Sequence, residues 1–117
     1  MPKDIIKRSL DFAVRIIKLS KYLESNKTYS IANQILRSAT SIGANLSEAE
    51  YAQSKSDFIH KNSIALKECA ETKYWIELLF HSELIKENLY SSLLKDCEEI
   101  LKILTTIVKK SKLSNKE

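Results

Sequence analysis

Gln34-Ile-Leu-Arg37-Ser-Ala-Thr-Ser41-Ile-Gly-Ala-Asn45-Leu-Ser-Glu48 is the stretch whose reading decides the fold. At about 100° per residue it winds two stripes onto one helix. Ile31, Ile35, Ala39, Ile42, Leu46 and Ala49 fall on one side, and Gln34, Arg37, Ser41, Asn45 and Glu48 on the neighbouring side. An ordinary surface helix carries one apolar stripe opposite a loosely ordered polar back. Here the polar stripe mixes amides, a hydroxyl and opposite charges, with small residues between. It reads as a second contact face, so this helix is expected to touch both its own core and a partner.

The same period extends outward in both directions. A first helix is expected from about Asp4 to Glu24, following Pro2, whose missing N–H does no harm near a helix start. It also carries two stripes: Ile6, Leu10, Ala13 and Ile17 on one side, and Ile5, Phe12, Ile16, Leu19 and Leu23 on the other. Ser25-Asn26-Lys27-Thr28 reads as a loop. The second helix runs from about Tyr29 to Ala52. Gly43 lies inside it at a cost of roughly 1 kcal/mol relative to Ala. It is either a tolerated or kinked position, or a place where another backbone comes close.

Ser54 with Asp57 three residues on resembles a capping box and opens a third helix, about Lys55 to His81. Phe58, Ala65, Cys69, Thr72, Ile76 and Leu79 form its main stripe. Ile64, Glu68, Glu71, Trp75 and Leu78 flank it, again mixing carboxylates with large apolar groups. The fourth helix runs from about Glu87 to Lys110 with one broad face: Leu89, Leu93, Cys97, Ile100, Leu104 and Ile107, widened by Leu94, Leu101 and Val108. Lys109, Lys110 and Lys112 suit the negative end of a helix, and residues 113–117 are expected to fray. Four helices with short connections predict an all-α, antiparallel up-down-up-down bundle in one domain.

Composition agrees. The chain has 117 residues with a single glycine and a single proline, and helix formers dominate. No run of about 18 apolar residues exists, so no membrane span is expected. The start, Met1-Pro-Lys-Asp, lacks a signal-peptide core, which predicts a cytoplasmic protein. Cys69 and Cys97 face apolar stripes, which predicts buried reduced thiols, and no CxxC pair suggests zinc. The net charge of +4 is uneven: +5 over residues 1–37, −3 over 38–85 and +2 over 86–117. A basic first helix and tail can attract phosphate backbones. The candidate contacts are Lys7, Arg15, Lys18, Lys21, Lys109, Lys110 and Lys112.

Enzyme signatures are weak. One glycine cannot make a phosphate loop. His60 and His81 lie on one helix, roughly 31 Å apart at 1.5 Å per residue, too far to share a metal or a proton. A di-metal carboxylate site in a bundle wants Glu-x-x-His on two helices, and only Asp57-x-x-His60 is present. Arg37 with Glu68 or Glu71 makes a better use of the carboxylates: an ion-paired network across two helices, with Asn45 and Ser41 supplying hydrogen bonds. A guanidinium fork can grip a carboxylate at two points, and such a network acts mainly on which surfaces mate. The alternative is simple exposed charge. Trp75 is either an interface anchor or packed core.

These residues resemble a known family. Gln34, Arg37, Ser41-Ile42, Ala44-Asn45 and Glu48 form one block. Ser56-Asp57-Phe58-Ile59, Ala65-Leu66-Lys67-Glu68, Glu71-Thr72 and Tyr74-Trp75 form the other. Together they resemble the proteins encoded in 23S ribosomal RNA intervening sequences, also called the S23 ribosomal protein family, from Ile5 to about Ile107. The resemblance implies an antiparallel four-helix bundle assembled as a barrel-like homopentamer. It also implies kinship with the accessory variability determinant of diversity-generating retroelements, a basic pentamer that binds nucleic acid and a reverse transcriptase. Arg37-Ser38 stands where many members have two basic residues, which weakens the implied nucleic-acid binding. Ser47-Glu48-Ala49 replaces an Ala-Glu-Gly, which favours continuation of the second helix to about Ala52.

The expectation is therefore a non-enzymatic oligomeric scaffold or accessory protein without cofactor or metal. Its candidate subunit interface is Arg37, Ser41, Asn45, Glu48, Glu68, Glu71 and Trp75, and its basic faces would bind RNA or DNA with little sequence preference. The alternatives are a protein-interaction module, for instance for a reverse transcriptase, and more remotely a di-metal carboxylate enzyme.

Overall fold

With so few helix breakers in the chain, the structure is helix almost throughout. The computed structural model describes residues 3–116. It contains α1 (Lys3–Ser25), α2 (Tyr29–Ala49), α3 (Lys55–His81) and α4 (Glu87–Lys116). Short connections make chain neighbours antiparallel. The α1–α2, α2–α3 and α3–α4 pairs pack extensively and α1–α4 only lightly, in a bundle measuring 50 × 21 × 20 Å.

Two connections close in the same way. Lys27 (φ 64°) and Glu83 (φ 63°) adopt the left-handed conformation just past α1 and α3. Behind α1, the Lys27 N–H donates to Glu24 O at 2.9 Å and the Thr28 N–H to Leu23 O at 2.8 Å. Behind α3, the Glu83 N–H donates to Phe80 O and the Leu84 N–H to Leu79 O, both at 2.9 Å. These are paired Schellman bonds that satisfy carbonyls a helix end would otherwise leave open.

The third connection corrects the sequence reading. α2 stops at Ala49 rather than Ala52, because the backbone tightens. The Tyr51 N–H donates to Glu48 O (3.0 Å) and the Ala52 N–H to Ala49 O (3.2 Å), the three-residue spacing of a 3₁₀ turn. The capping box forms by half: the Asp57 N–H donates to Ser54 Oγ at 3.0 Å, but Asp57 Oδ2 accepts from the Gln53 N–H rather than from Ser54. α4 runs past Lys110 to Lys116, so residues 113–116 are helical where fraying was expected. No glycine or proline follows Lys110, and Ser111 is buried, which ties down one more turn. Glu117 lies outside the described residues.

Packing settles which stripe of α1 faces inward. Ile5, Phe12, Ile16, Leu19 and Leu23 are buried, while Leu10 and Ile17 remain on the surface. In α3 the buried line is Asn62, Ala65, Cys69, Thr72, Ile76 and Leu79, so Asn62 takes the place expected of Phe58. In α4 it passes through Leu93, Cys97, Ile100 and Leu104, then swings to Val108 and Ser111 instead of Ile107. Each large aliphatic chain fully removed from water contributes about 1.5–3 kcal/mol.

Polar groups inside the bundle are mostly satisfied. Ser38 and Thr72 share a hydrogen bond of 2.8 Å between α2 and α3, and Ser20 Oγ donates to Ala32 O at 3.3 Å between α1 and α2. Asn62 Nδ2 donates to Phe58 O, whereas Asn62 Oδ1 and Ser9 Oγ have no partner among the described residues. Cys69 and Cys97 are buried free thiols, as expected, with sulfurs 3.8 Å apart across α3 and α4. The hydrogen bond that the Cys97 thiol shares with Cys69, reinforced by burial, holds its proton and pushes it well above its ordinary range. No described helix is long and apolar enough to cross a membrane.

Candidate functional site

Arg37 projects from the middle of α2 over α3. Its Nη1 donates to Glu68 Oε2 at 3.3 Å and its Nη2 to Glu71 Oε2 and, at 3.5 Å, to Gln34 Oε1. Glu71 Oε2 also accepts from Trp75 Nε1 at 3.0 Å. Gln34, Arg37, Glu68, Glu71 and Trp75 thus form one connected network on the α2–α3 surface. Arg37 and Glu68 come together because antiparallel α2 and α3 share a register that also aligns Ser38 with Thr72 and Glu48 with Lys61. The network lies within one chain. Arg37 is half-exposed, and an ion pair in such a setting is worth about 0–1 kcal/mol. Trp75 is half-buried and packs against the core, with Tyr74 edge-on at 5.2 Å.

Ser41 and Asn45 do not join the network, contrary to expectation. Ser41 Oγ donates to Arg37 O at 2.6 Å, and Asn45 Nδ2 to Ser41 O at 2.8 Å. Both side chains turn back to the carbonyl four residues earlier, the habit of short polar groups in a helix interior. Glu48 pairs with Lys61 at 2.9 Å, outside the Arg37 network. That hydrogen bond and charge raise the affinity of the Lys61 amine for its proton.

The basic candidates separate into bound and unbound. Lys7 is held by Asp11 at 2.7 Å, and Arg15 by Asp96 at 2.6 Å and Ser92 Oγ at 2.9 Å. Arg15 therefore latches α1 to α4, as Arg8 does through Glu99 at 3.2 Å. The Arg8 guanidinium is pushed up, first by its hydrogen bond to Asp4 and then by the surrounding carboxylate charge. Lys18, Lys21, Lys109, Lys110 and Lys112 are exposed and make no ion pair among the described residues. They form no single patch. The Arg15–Ser92 contact brings Lys18 level with the start of α4, roughly 30 Å along that helix from Lys109.

The sequence showed one surface only in part. Leu10, Val14 and Ile17 are 61, 45 and 39% exposed, and their spacing of i, i+4, i+7 lines them along the outside of α1. Lys7 and Lys21 bracket the stripe at the same period. The outward apolar positions of α1 were recognised in part, but Val14, which joins Leu10 to Ile17, was not. No group of three or more His, Cys, Asp or Glu able to hold a metal exists among the described residues, and His60 and His81 are both exposed.

Residues 2–106 match the family model described as 23S rRNA-intervening sequence protein. The chain belongs to this family. It is similar to a protein of unknown function from the S23 ribosomal protein family of Bacteroides thetaiotaomicron VPI-5482, solved at 1.70 Å. The two are 51% identical over 90% of this chain and 98% of that one, with a TM-score of 0.87. No curated protein matches it. Family membership and the shared architecture support a helical-bundle protein of this family.

Proposed function

We propose that the chain is an oligomeric scaffold or accessory protein that associates with itself and binds nucleic acid through its unpaired lysines. The Leu10–Val14–Ile17 stripe carries the reading: three large apolar side chains stand in a row on the outside of α1. Contiguous apolar rows on the surface of a monomeric protein are unusual and mark contact sites. A stripe with this spacing suits helix-on-helix packing against a second copy. The Arg37 network, closed within its own chain, lies on the α2–α3 surface rather than on the outside of α1. A homopentamer is the assembly the family resemblance suggests.

Sedimentation at micromolar concentration tests the assembly. The wild-type chain is expected to run as an oligomer, and Leu10→Glu with Ile17→Glu as a folded monomer. A monomeric wild type ends the reading. Arg37→Ala is expected to weaken assembly only if Arg37 also reaches the neighbour, and an unchanged profile confines its role to one subunit.

For nucleic acid, filter binding to arbitrary RNA and DNA is expected to show retention at low salt that falls steeply as salt rises. Reversing Lys109, Lys110 and Lys112 to Glu should abolish it, and no retention at low salt would remove the activity. In a pull-down, a reverse transcriptase that stays bound after nuclease treatment would point to a protein partner instead.

A further inference from the structure

Beyond the described start of α1, a groove runs along the far end of α4 beside Phe58 of α3. Arg15 meets Ser92 and Asp96, and Arg8 meets Glu99. Those contacts bring the described start of α1 level with about Leu104 to Val108. From there α4 runs on to Lys116, about two to three further turns. Among the described residues this end of α4 holds an open groove of about 490 Å³, floored by Phe58, Ile103 and Ile107 and rimmed by Lys102 and Lys110. Its floor is apolar, and among the described residues its charged lining groups are the two lysines. Neither makes an ion pair among the described residues. Lys55 adds a third positive charge, 5.7 Å from the centre of the Phe58 ring.

We propose that this groove docks an acidic amphipathic helix from a partner protein, laid along α4 over Ile103 and Ile107. The shape comes from the bundle itself, since α3 and α4 already present the groove that a third helix fills. The charge fixes the chemistry, because an apolar floor between unpaired lysines selects a ligand with an apolar stripe and carboxylates on its flanks. An enclosed pocket would suit a small amphiphile better, but this groove is open along its length and would leave much of one in water. Lys102 and Lys110 stand eight residues apart, about 12 Å along α4. The partner therefore carries two acidic positions about two turns apart, with apolar residues at i+3 and i+4 between them to meet Phe58, Ile103 and Ile107.

The probe is a synthetic sixteen-residue helical peptide of that pattern, labelled for fluorescence anisotropy, with a twin in which Lys replaces each Glu. The acidic peptide is expected to bind saturably and to shift the methyl NMR signals of Ile103 and Ile107. The twin is expected not to bind. Lys102→Glu with Lys110→Glu, on two exposed side chains whose change spares the core, should weaken the acidic peptide at least tenfold. Absence of saturable binding, equal binding of the twin, or shifts confined to Leu10, Val14 and Ile17 would overturn the proposal. Movement of the Ile103 and Ile107 methyls with protein concentration alone would also overturn it, by showing a second copy in the groove.

Discussion

Gly43→Ala tests how closely α1 and α2 approach. Gly43 sits in the interior of α2 with no positive φ, so nothing in its backbone requires glycine. A Cβ built there meets Ser9 Cβ at 3.5 Å and the Ser9 carbonyl carbon at 4.0 Å, ordinary van der Waals contact. The substitution therefore gains the full helix-propensity difference, about 0.8–1.0 kcal/mol, with no steric loss to set against it. The melting temperature should rise by about 3–5 °C for a chain of this size. The urea midpoint should rise by roughly 0.3–1 M at an unchanged slope, for a typical slope of about 1–3 kcal/mol per M. Circular dichroism and Trp75 fluorescence, each at two protein concentrations, keep association out of the comparison. A loss of about 1 kcal/mol would mean that the helices touch at Gly43 more closely than this geometry allows. A gain in stability accompanied by weaker assembly would assign Gly43 to close approach by a neighbouring subunit, the second meaning its sequence position admits.

Further outcomes follow from single contacts. Lys27→Gly and Glu83→Gly each relieve a left-handed residue whose Cβ costs about 1 kcal/mol, so each should raise the urea midpoint, and Ala at either site should not. Thr72→Val removes the partner of Ser38, which keeps a bond of 3.3 Å to Ile35 O. Thr72 Oγ1 also donates to Glu68 O at 2.8 Å, so the expected loss is about 1–2 kcal/mol, and a loss above about 3 kcal/mol would mean that the pair holds more than these two bonds. Cys69 and Cys97 should react with a thiol reagent only as fast as the chain unfolds, and rapid labelling under native conditions would refute their burial. Because the folded Cys97 thiol is raised, its stabilisation is complete below the unfolded value of about 8.5 and is lost as pH climbs above it. The urea midpoint should fall from pH 8 to pH 10, and less so in Cys97→Ala.

Helix existence and bundle topology were legible because a 3.6-residue period survives in all four segments and nothing interrupts it. The Arg37 pairing was legible for a chemical reason: opposite charges on adjacent helices, with a guanidinium able to reach two carboxylates. Its neighbours were misread because Ser41 and Asn45 have a nearer acceptor, the carbonyl one turn back, and local bonds win over distant ones when both are available. Thr72 was already placed on the α3 core stripe, but the other buried hydroxyls and the amide were missed because a polarity pattern counts Ser9, Ser20, Ser38 and Asn62 by their polar atoms rather than their size. Ser9, Ser20 and Ser38 are small enough for helices to close over, and their angular positions lie on the core stripes. The end of α2 was misjudged because a 3₁₀ turn continues the same coil with different bonds, and sequence period cannot separate the two.

The choice between the two stripes of α1 shows where more could have been read. By apolar content alone the stripe through Ile5, Phe12, Ile16, Leu19 and Leu23 is already the richer. Their flanks differ: the stripe through Ile5, Phe12, Ile16 and Leu23 is filled in by Ser9 and Ser20, which are buried easily, whereas the stripe through Leu10, Val14 and Ile17 is closed at both ends by Lys7 and Lys21. Turning the second stripe inward would carry two ammonium groups toward the core, at a cost of several kcal/mol each if unpaired. The same lysines constrain whatever covers that stripe from outside. Lys7 already has Asp11, but Lys21 has no carboxylate among the described residues. A subunit packed on α1 must leave Lys21 at the wet rim of the contact or bring an acidic group to it. Lys21→Glu should therefore weaken assembly if the neighbour brings a carboxylate, and leave it unchanged if the lysine stays in water.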